Sequence, residues 1–236
     1  MYQGMSIGVV IPAKNESKHL PGVLQTLPDY VDKIVVIDDG SSDGTGKLVV
    51  DAELIRLEGE GVGAAIDKGH QRLLEIFDDK FISVVVAGDG QMDPNDMKAL
   101  IRPILEDRAH HVKGERLDRA GKMPLIRRFG TLLLSTLTTL ACGQTIRDSQ
   151  CGYTATSSKV LKSWNWQSSW KGYGYPNWWL MRLSENGWRI KHIPVKAIYE
   201  GQKSGIRILS FLPKVSLMLL FSLHARIIRN TVKNPS

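Results

Sequence analysis

The sequence predicts an open α/β sheet, mostly parallel, with helices on both faces and an amphipathic helix towards its C-terminal end. Three observations predict it. Short runs at Ile7–Ile11, Lys33–Asp38, Leu54–Leu57 and Phe81–Ala87, most of them rich in Val and Ile, alternate with helical patterns. These runs are nearly continuous in apolar character, as expected of strands covered on both faces. The segments VVIPAKNE (9–16), IDDGSSDGT (37–45) and VVVAGDGQMDP (84–94) each begin as a strand and end in a polar turn. An open α/β sheet gathers its ligands at such carboxyl ends.

Taken in order, the strands are separated by helical stretches at Glu16–Leu27, Thr45–Ala52 and Ala64–Phe77, and a further helix starts at Pro94. The second half is less regular. Ile126–Leu140 predicts a helix, Tyr175–Glu185 a helix closed by Asn186-Gly187, and Trp188–Val195 a strand. Ile206–Arg229 is a long apolar to amphipathic helix, interrupted at Pro213. No linker or repeat divides the chain, so one domain over residues 1–205 with an appendage over 206–236 is expected.

At 236 residues the chain can bury a full core. Its formal charge of +7 suggests a polyanionic partner. The basic residues are dispersed and no nucleic-acid motif is present, which argues against nucleic acid and leaves an anionic membrane surface or a phosphate-bearing substrate. Cys142 and Cys151 have neither CxxC spacing nor clustered histidines, so they read as reduced thiols of a cytosolic protein. Met1–Ser6 lacks a basic stretch before an apolar run and reads as the approach to a strand, not a signal peptide.

Asp38 and Asp39 end the second strand, where adjacent carboxylates can accept hydrogen bonds from a base or ribose. Asp43 reads mainly as a cap for the turn that follows. Gly59–Gly63 is a glycine-rich turn opening a helix, without the lysine and spacing of a P-loop, and reads as a wall of a nucleotide pocket. Asp89 and Gln91 offer oxygen ligands that can grip Mg²⁺ or Mn²⁺, with waters and a diphosphate completing the shell. Asp93, followed by Pro94, reads as a helix cap. Arg116, Arg127 and Arg128 are candidates to clamp phosphate. In RDSQCGY (147–153), Asp148 could act as a base or orient an acceptor.

Together these segments resemble the inverting family-2 glycosyltransferases of GT-A, Rossmann-like fold, and among them the polyprenyl- (dolichyl-) phosphate hexose synthases, over roughly residues 6 to 210. The resemblance implies that Pro12, Ala13, Asn15 and Glu16 contact the nucleotide, together with Asp38, Asp39, Gly63, Gly88, Asp89 and Arg116. It implies a metal on Asp89 and Gln91. It implies an acceptor phosphate met by Arg116, Arg127 and Arg128 and by Lys203-Ser204 in the acceptor-side loop Ile198–Ile206. Asp89, Asp148, Gln150 and Arg128 are the catalytic candidates. One position departs from the pattern: Ala87 stands where the family has the first acid of Asp-x-Asp, so the metal site loses one carboxylate.

The implied reaction moves a hexose from a nucleotide-sugar to a polyprenyl phosphate in one inverting displacement. UDP-glucose, GDP-mannose and UDP-N-acetylglucosamine all remain open as donors. A polyprenyl phosphate is already anionic and needs no strong base; a glycan or soluble hydroxyl acceptor would need one, and Asp148 is then the candidate. A non-catalytic nucleotide-sugar binding protein is the alternative that Ala87 motivates. The apolar run Val215–Leu223 is too short to span a bilayer, so an interfacial helix on the cytoplasmic face of a membrane is expected, with packing on the catalytic domain or on a second copy in a homo-oligomer as the rival.

Overall fold

The computed structural model describes residues 1–116, 125–172, 174–196, 198, 215–220 and 223–224, excepting the side chains of 125–131. Seven strands form one sheet in the order β3-β2-β1-β4-β6-β5-β7. These are β1 (Ser6–Ala13), β2 (Lys33–Asp39), β3 (Glu53–Leu57), β4 (Phe81–Val85), β5 (His111–Arg116), β6 (Thr154–Ser157) and β7 (Ile190–Val195). All neighbours run parallel except β6, which is antiparallel to both β4 and β5.

Both faces are covered, which explains the unbroken apolar strands. On one face Ile7, Val9 and Ile11 of β1 join α1 (Leu20–Thr26) and α3 (Met97–Leu105) through Leu20, Val23, Met97 and Ile101. On the other, Val10 joins α2 (Val62–Ile76), α5 (Ser158–Lys162) and α6 (Tyr175–Glu185) through Ala65, Leu73, Val160, Trp179 and Leu183. A smaller cluster ties α4 (Leu125–Cys142) to the C-terminal segment, where Leu134 and Ala141 are buried with Val215 and Leu219. No helix of the described residues is long and apolar enough to cross a membrane.

Several expected boundaries move for identifiable reasons. The first helix starts at Leu20 rather than Glu16, because the amides of Glu16 and Ser17 donate to Thr45 Oγ1 and Asp43 Oδ2 in the neighbouring turn. The helix expected over Thr45–Ala52 is only a 3₁₀ turn, Thr45–Leu48; Gly46, Val49 and Val50 are weak helix formers. Asp93 does cap the turn Pro94–Asp96, its Oδ1 accepting the Asn95 amide at 3.0 Å, and α3 follows directly. The last strand begins at Ile190 rather than Trp188. Regular β4 ends at Val85, but the Val86 and Gly88 amides go on to donate to Val10 and Pro12 carbonyls, carrying Asp89 alongside the end of β1.

Candidate active site

The ends of β1 and β2 are stitched into one rigid ledge. Asn15 sits in the left-handed region at φ 57°, a conformation that asparagine tolerates well. Its amide donates to Ser41 Oγ at 2.9 Å, and its Oδ1 accepts the Ser42 amide at 2.9 Å. The Thr45 hydroxyl donates to Asp43 and holds that carboxyl below the usual carboxylate range. Asp43 therefore serves the turn, both within it and across to Ser17.

Asp38 and Asp39 are both buried and differently employed. Asp38 Oδ1 accepts the Ser41 amide at 2.9 Å. Asp39 accepts the Glu60 and Gly61 amides at 2.7 and 3.0 Å, with Lys14 Nζ 3.7 Å away. The glycine-rich turn after β3 thus points its first amides at Asp39. The Gly63 amide donates to the Lys171 carbonyl at 2.8 Å, and a Cβ at Gly63 would sit 2.2 Å from the Trp170 carbonyl oxygen. Gly63 is where α2 packs against the 170–171 backbone, and its amide faces protein.

Asp89 stands on the turn after β4, its Oδ1 accepting the Gln91 amide at 3.0 Å. Burial pushes its carboxyl up, and the charges of His19 and Arg116 pull it back. Glu16 is also raised, first by burial, with the His19 hydrogen bond lowering it and the Asp89 charge raising it. His19 Nδ1 lies 3.0 Å from Glu16 Oε2. Two basic side chains, His19 before α1 and Arg116 at the end of β5, therefore act on Asp89. His19 was not among the candidate residues; a lone histidine next to a helix start carries no motif that would have singled it out.

On the far side of Asp89, Asp148 is a hub. Among the described residues it accepts hydrogen bonds from Nε, Nη2 and the amide of Arg116 at 2.8, 3.1 and 3.3 Å, and from the Gln150 and Cys151 amides at 3.1 Å. Asp148 is 2% exposed, so this bidentate pair is well shielded from water. Gln150 Nε2 donates to Asn177 Oδ1 at 2.5 Å, and Asn177 Nδ2 donates to Thr138 Oγ1 at 2.7 Å. This relay fastens the 148–151 segment to α6 and α4. Asn177 and Thr138 are further residues missed in the sequence, since nothing local distinguishes them.

Pro12, Ala13 and Gly88 meet at the β1–β4 junction, where a Cβ on Gly88 would lie 3.1 Å from that of Ala13. Lys203, Ser204 and the side chains of Arg127 and Arg128 lie outside the described residues. Of the acceptor-side loop, Ile198 donates its amide to the Gln91 carbonyl at 3.0 Å.

Among the described residues no three His, Cys, Asp or Glu side chains gather into a metal cage. Asp89 and Gln91 are hard oxygen donors on one turn. That set suits a divalent ion such as Mg²⁺, which keeps several waters and takes the rest of its shell from substrate phosphates.

The model of one protein family, glycosyl transferase family 2, matches residues 8–164. A UDP-N-acetylglucosamine–dolichyl-phosphate N-acetylglucosaminyltransferase of Methanococcus voltae is 32% identical over 217 residues, spanning 82% of this chain and 86% of that one. An undecaprenyl-phosphate mannosyltransferase of Micrococcus luteus is 29% identical over 205 residues, spanning 81% and 83%. Among solved structures, glucosyl-3-phosphoglycerate synthase of Mycobacterium tuberculosis in complex with Mn²⁺, UDP and phosphoglyceric acid has the same fold, with a TM-score of 0.70 at 22% identity over 94% of this chain and 78% of that one. With its mostly parallel GT-A sheet and acidic turns at the strand ends, the chain belongs to glycosyl transferase family 2 and is a glycosyltransferase.

Proposed function

We propose that the enzyme transfers a sugar from a nucleotide-sugar to the phosphate of a polyprenyl (dolichyl) phosphate, with Mg²⁺ or Mn²⁺ held by Asp89 and Gln91. The observation that carries this reading is the engagement of Asp148, whose carboxylate accepts five hydrogen bonds among the described residues, three of them from Arg116. A carboxylate so occupied is a poor base, and a phosphate acceptor needs none. The names of the similar dolichyl- and undecaprenyl-phosphate transferases support the same acceptor, and UDP in the name of the Methanococcus relative supports a UDP-activated donor.

In this mechanism an acceptor phosphate oxygen attacks the anomeric carbon as the bond to the nucleoside diphosphate breaks, inverting the centre. A divalent ion held by Asp89 and Gln91 would supply Lewis-acid neutralisation of the leaving diphosphate. Asp148 is a positioning residue: it fixes the Arg116 guanidinium beside Asp89, so that positive charge is preorganised where two phosphate groups meet. Asp38, the 40–45 turn and the β1–β4 junction hold the nucleotide. Arg127, Arg128, Lys203 and Ser204 are proposed to meet the acceptor phosphate.

A lipid acceptor fits a peripheral position at the cytoplasmic face of a membrane. Leu132 and Leu140 on α4 are 65% and 50% exposed, and Leu217 and Leu220 on the packed C-terminal segment are exposed too, so this two-helix unit offers an apolar face for the interface. Incubation with UDP-N-acetylglucosamine, UDP-glucose or GDP-mannose, a short polyprenyl phosphate and Mg²⁺ or Mn²⁺ should yield an organic-extractable, lipid-linked sugar, abolished by EDTA. Transfer only to glycan or soluble hydroxyl acceptors, or donor binding with no transfer at all, would sink the reading.

A further inference from the structure

Ser135, Thr138 and Thr139 place hydroxyls on one face of the otherwise apolar α4, at helical spacing i, i+3 and i+4. Such residues in mid-helix are poor helix formers and often bond back to the carbonyl four residues earlier. Thr138 does so, donating to the Leu134 carbonyl at 2.6 Å. The other two reach outward. The helix ends at Cys142, Gly143 turns the chain at φ 69°, and the segment that carries Asp148 then meets the hydroxyl face. Thr139 Oγ1 accepts the Ile146 amide at 2.9 Å and donates to the Ile146 carbonyl at 3.3 Å. Ser135 Oγ donates to the Arg147 carbonyl at 3.1 Å and accepts the Ser149 amide at 3.5 Å. Thr138 accepts from Asn177, which in turn accepts from Gln150.

Residues 146, 147, 149 and 150 are thus held by α4, directly or through one side chain, while Asp148 between them is aimed at Arg116. The helix itself is secured by other means. Leu134 and Ala141 are buried with Val215 and Leu219, and the Cys142 carbonyl accepts Ser184 Oγ at 2.5 Å. The hydroxyls of Ser135 and Thr139 therefore serve the segment more than the helix. Ser135 and Ser149 are buried, so water replaces a lost hydroxyl there poorly.

We propose that Ser135 and Thr139 are positioning residues for sugar transfer: they fix the 146–149 backbone so that Asp148 holds the Arg116 guanidinium in place. This rests on the role given to Asp148 and Arg116 in the proposed function. The same helix exposes Leu132 and Leu140 on a neighbouring face, so the lipid-facing surface of that reading and the Arg116–Asp148 pair are both referred to one element.

The test uses the full chain with Mg²⁺, a short polyprenyl phosphate and whichever of UDP-N-acetylglucosamine, UDP-glucose and GDP-mannose the wild type turns over. The readout is nucleoside diphosphate released, with and without the acceptor. Ser135→Ala combined with Thr139→Val removes both hydroxyls and adds no bulk. This double variant should lower kcat by about tenfold or more and move the donor KM by about twofold or less, as misplacement of a group acting on the transition state does. Thr139→Ser, which keeps a hydroxyl, should hold the wild-type kcat. In an Asp148→Asn background the double variant should cause no further loss, because the pair it positions is already broken. If the double variant does not fold, the two single variants run the same cycle. Wild-type kcat in the hydroxyl variants would overturn the proposal, as would a loss that multiplies in full on Asp148→Asn. Unchanged kcat in Asp148→Asn itself would instead overturn the role of Asp148 in the proposed function. Release of diphosphate that the acceptor does not raise would overturn the acceptor alone.

Discussion

On the β1–β2 side of the site, polar turns are held by many single hydrogen bonds, most of them between a backbone amide and a short side chain: Asn15 to Ser41, Ser42 to Asn15, Glu16 to Thr45, Ser17 to Asp43. On the β5–β6 side a single carboxylate, Asp148, collects five among the described residues. The first arrangement shares its load among neighbours and tolerates the loss of one member. The second concentrates it, and a single substitution strands a guanidinium and three amides at once. Rigidity is achieved on both sides, with opposite sensitivities.

The largest effect is expected at the concentrated side. Asp148→Ala should cost about 3 kcal/mol of stability, since it leaves one half of a shielded ion pair behind. It should also lower kcat at least a hundredfold through misplacement of Arg116; thermal unfolding and single-turnover rates would check the two parts. Unchanged stability with lost activity would instead make Asp148 a direct participant in chemistry.

An intermediate effect is expected at α2, the helix between the two sides. Burial holds His70 down to about 3, and burial raises Asp67 to about 6 against the Tyr175 hydrogen bond. His70 binds protons more readily when unfolded, so its contribution is complete above about 6.5 and is lost as pH falls towards 3. Asp67 has the opposite sign: its folded form holds a proton that the unfolded chain has released, so stability falls as pH rises from about 4 to about 6. Midpoints measured from pH 4 to 7 should therefore rise more steeply in Asp67→Asn and less steeply in His70→Gln than in the wild type. Parallel profiles would show that neither group titrates with folding.

The smallest effect is expected at the shared side. Ser41→Ala removes the acceptor for one amide and should cost about 1 kcal/mol or less. Its KM for the nucleotide-sugar should rise only a few-fold with kcat unchanged, as measured by initial rates. A loss comparable with that of Asp148→Ala would erase the contrast between the two sides.

The same contrast explains what could be read in advance. The β1, β2 and β4 ends were legible because their strands are apolar on both faces and their turns use glycine and short polar residues within a few positions of one another. Strand β5 was not, because His111, Lys113 and Glu115 are buried and make it look like a loop. His111 Nδ1 is 2.9 Å from Thr156 Oγ1, and Lys113 Nζ donates to the Cys151 carbonyl, partners that no local pattern announces. Strand β6, with only four residues of mixed polarity, was equally hidden. Asp148 stood out as an acid in a polar segment, but that its partner is Arg116, 32 positions earlier, follows only from β5 and β6 lying side by side.

Just beyond β7, at the sheet edge, the chain meets the segment that follows β4. There the Lys196 amide meets Asp96 Oδ2 at 2.7 Å, across 100 positions, and Ile198 meets Gln91. These two contacts clasp a very long loop whose closure is entropically slow and rewards nothing until both ends are built. The turn that carries Asp89 and Gln91 is thus finished by contacts of very large sequence separation. A nascent chain carrying β1 to β4 already contains Asp89 and Gln91 but lacks the segment that meets them from beyond β7. Competence to react is therefore expected late in folding, after the sheet that supports it.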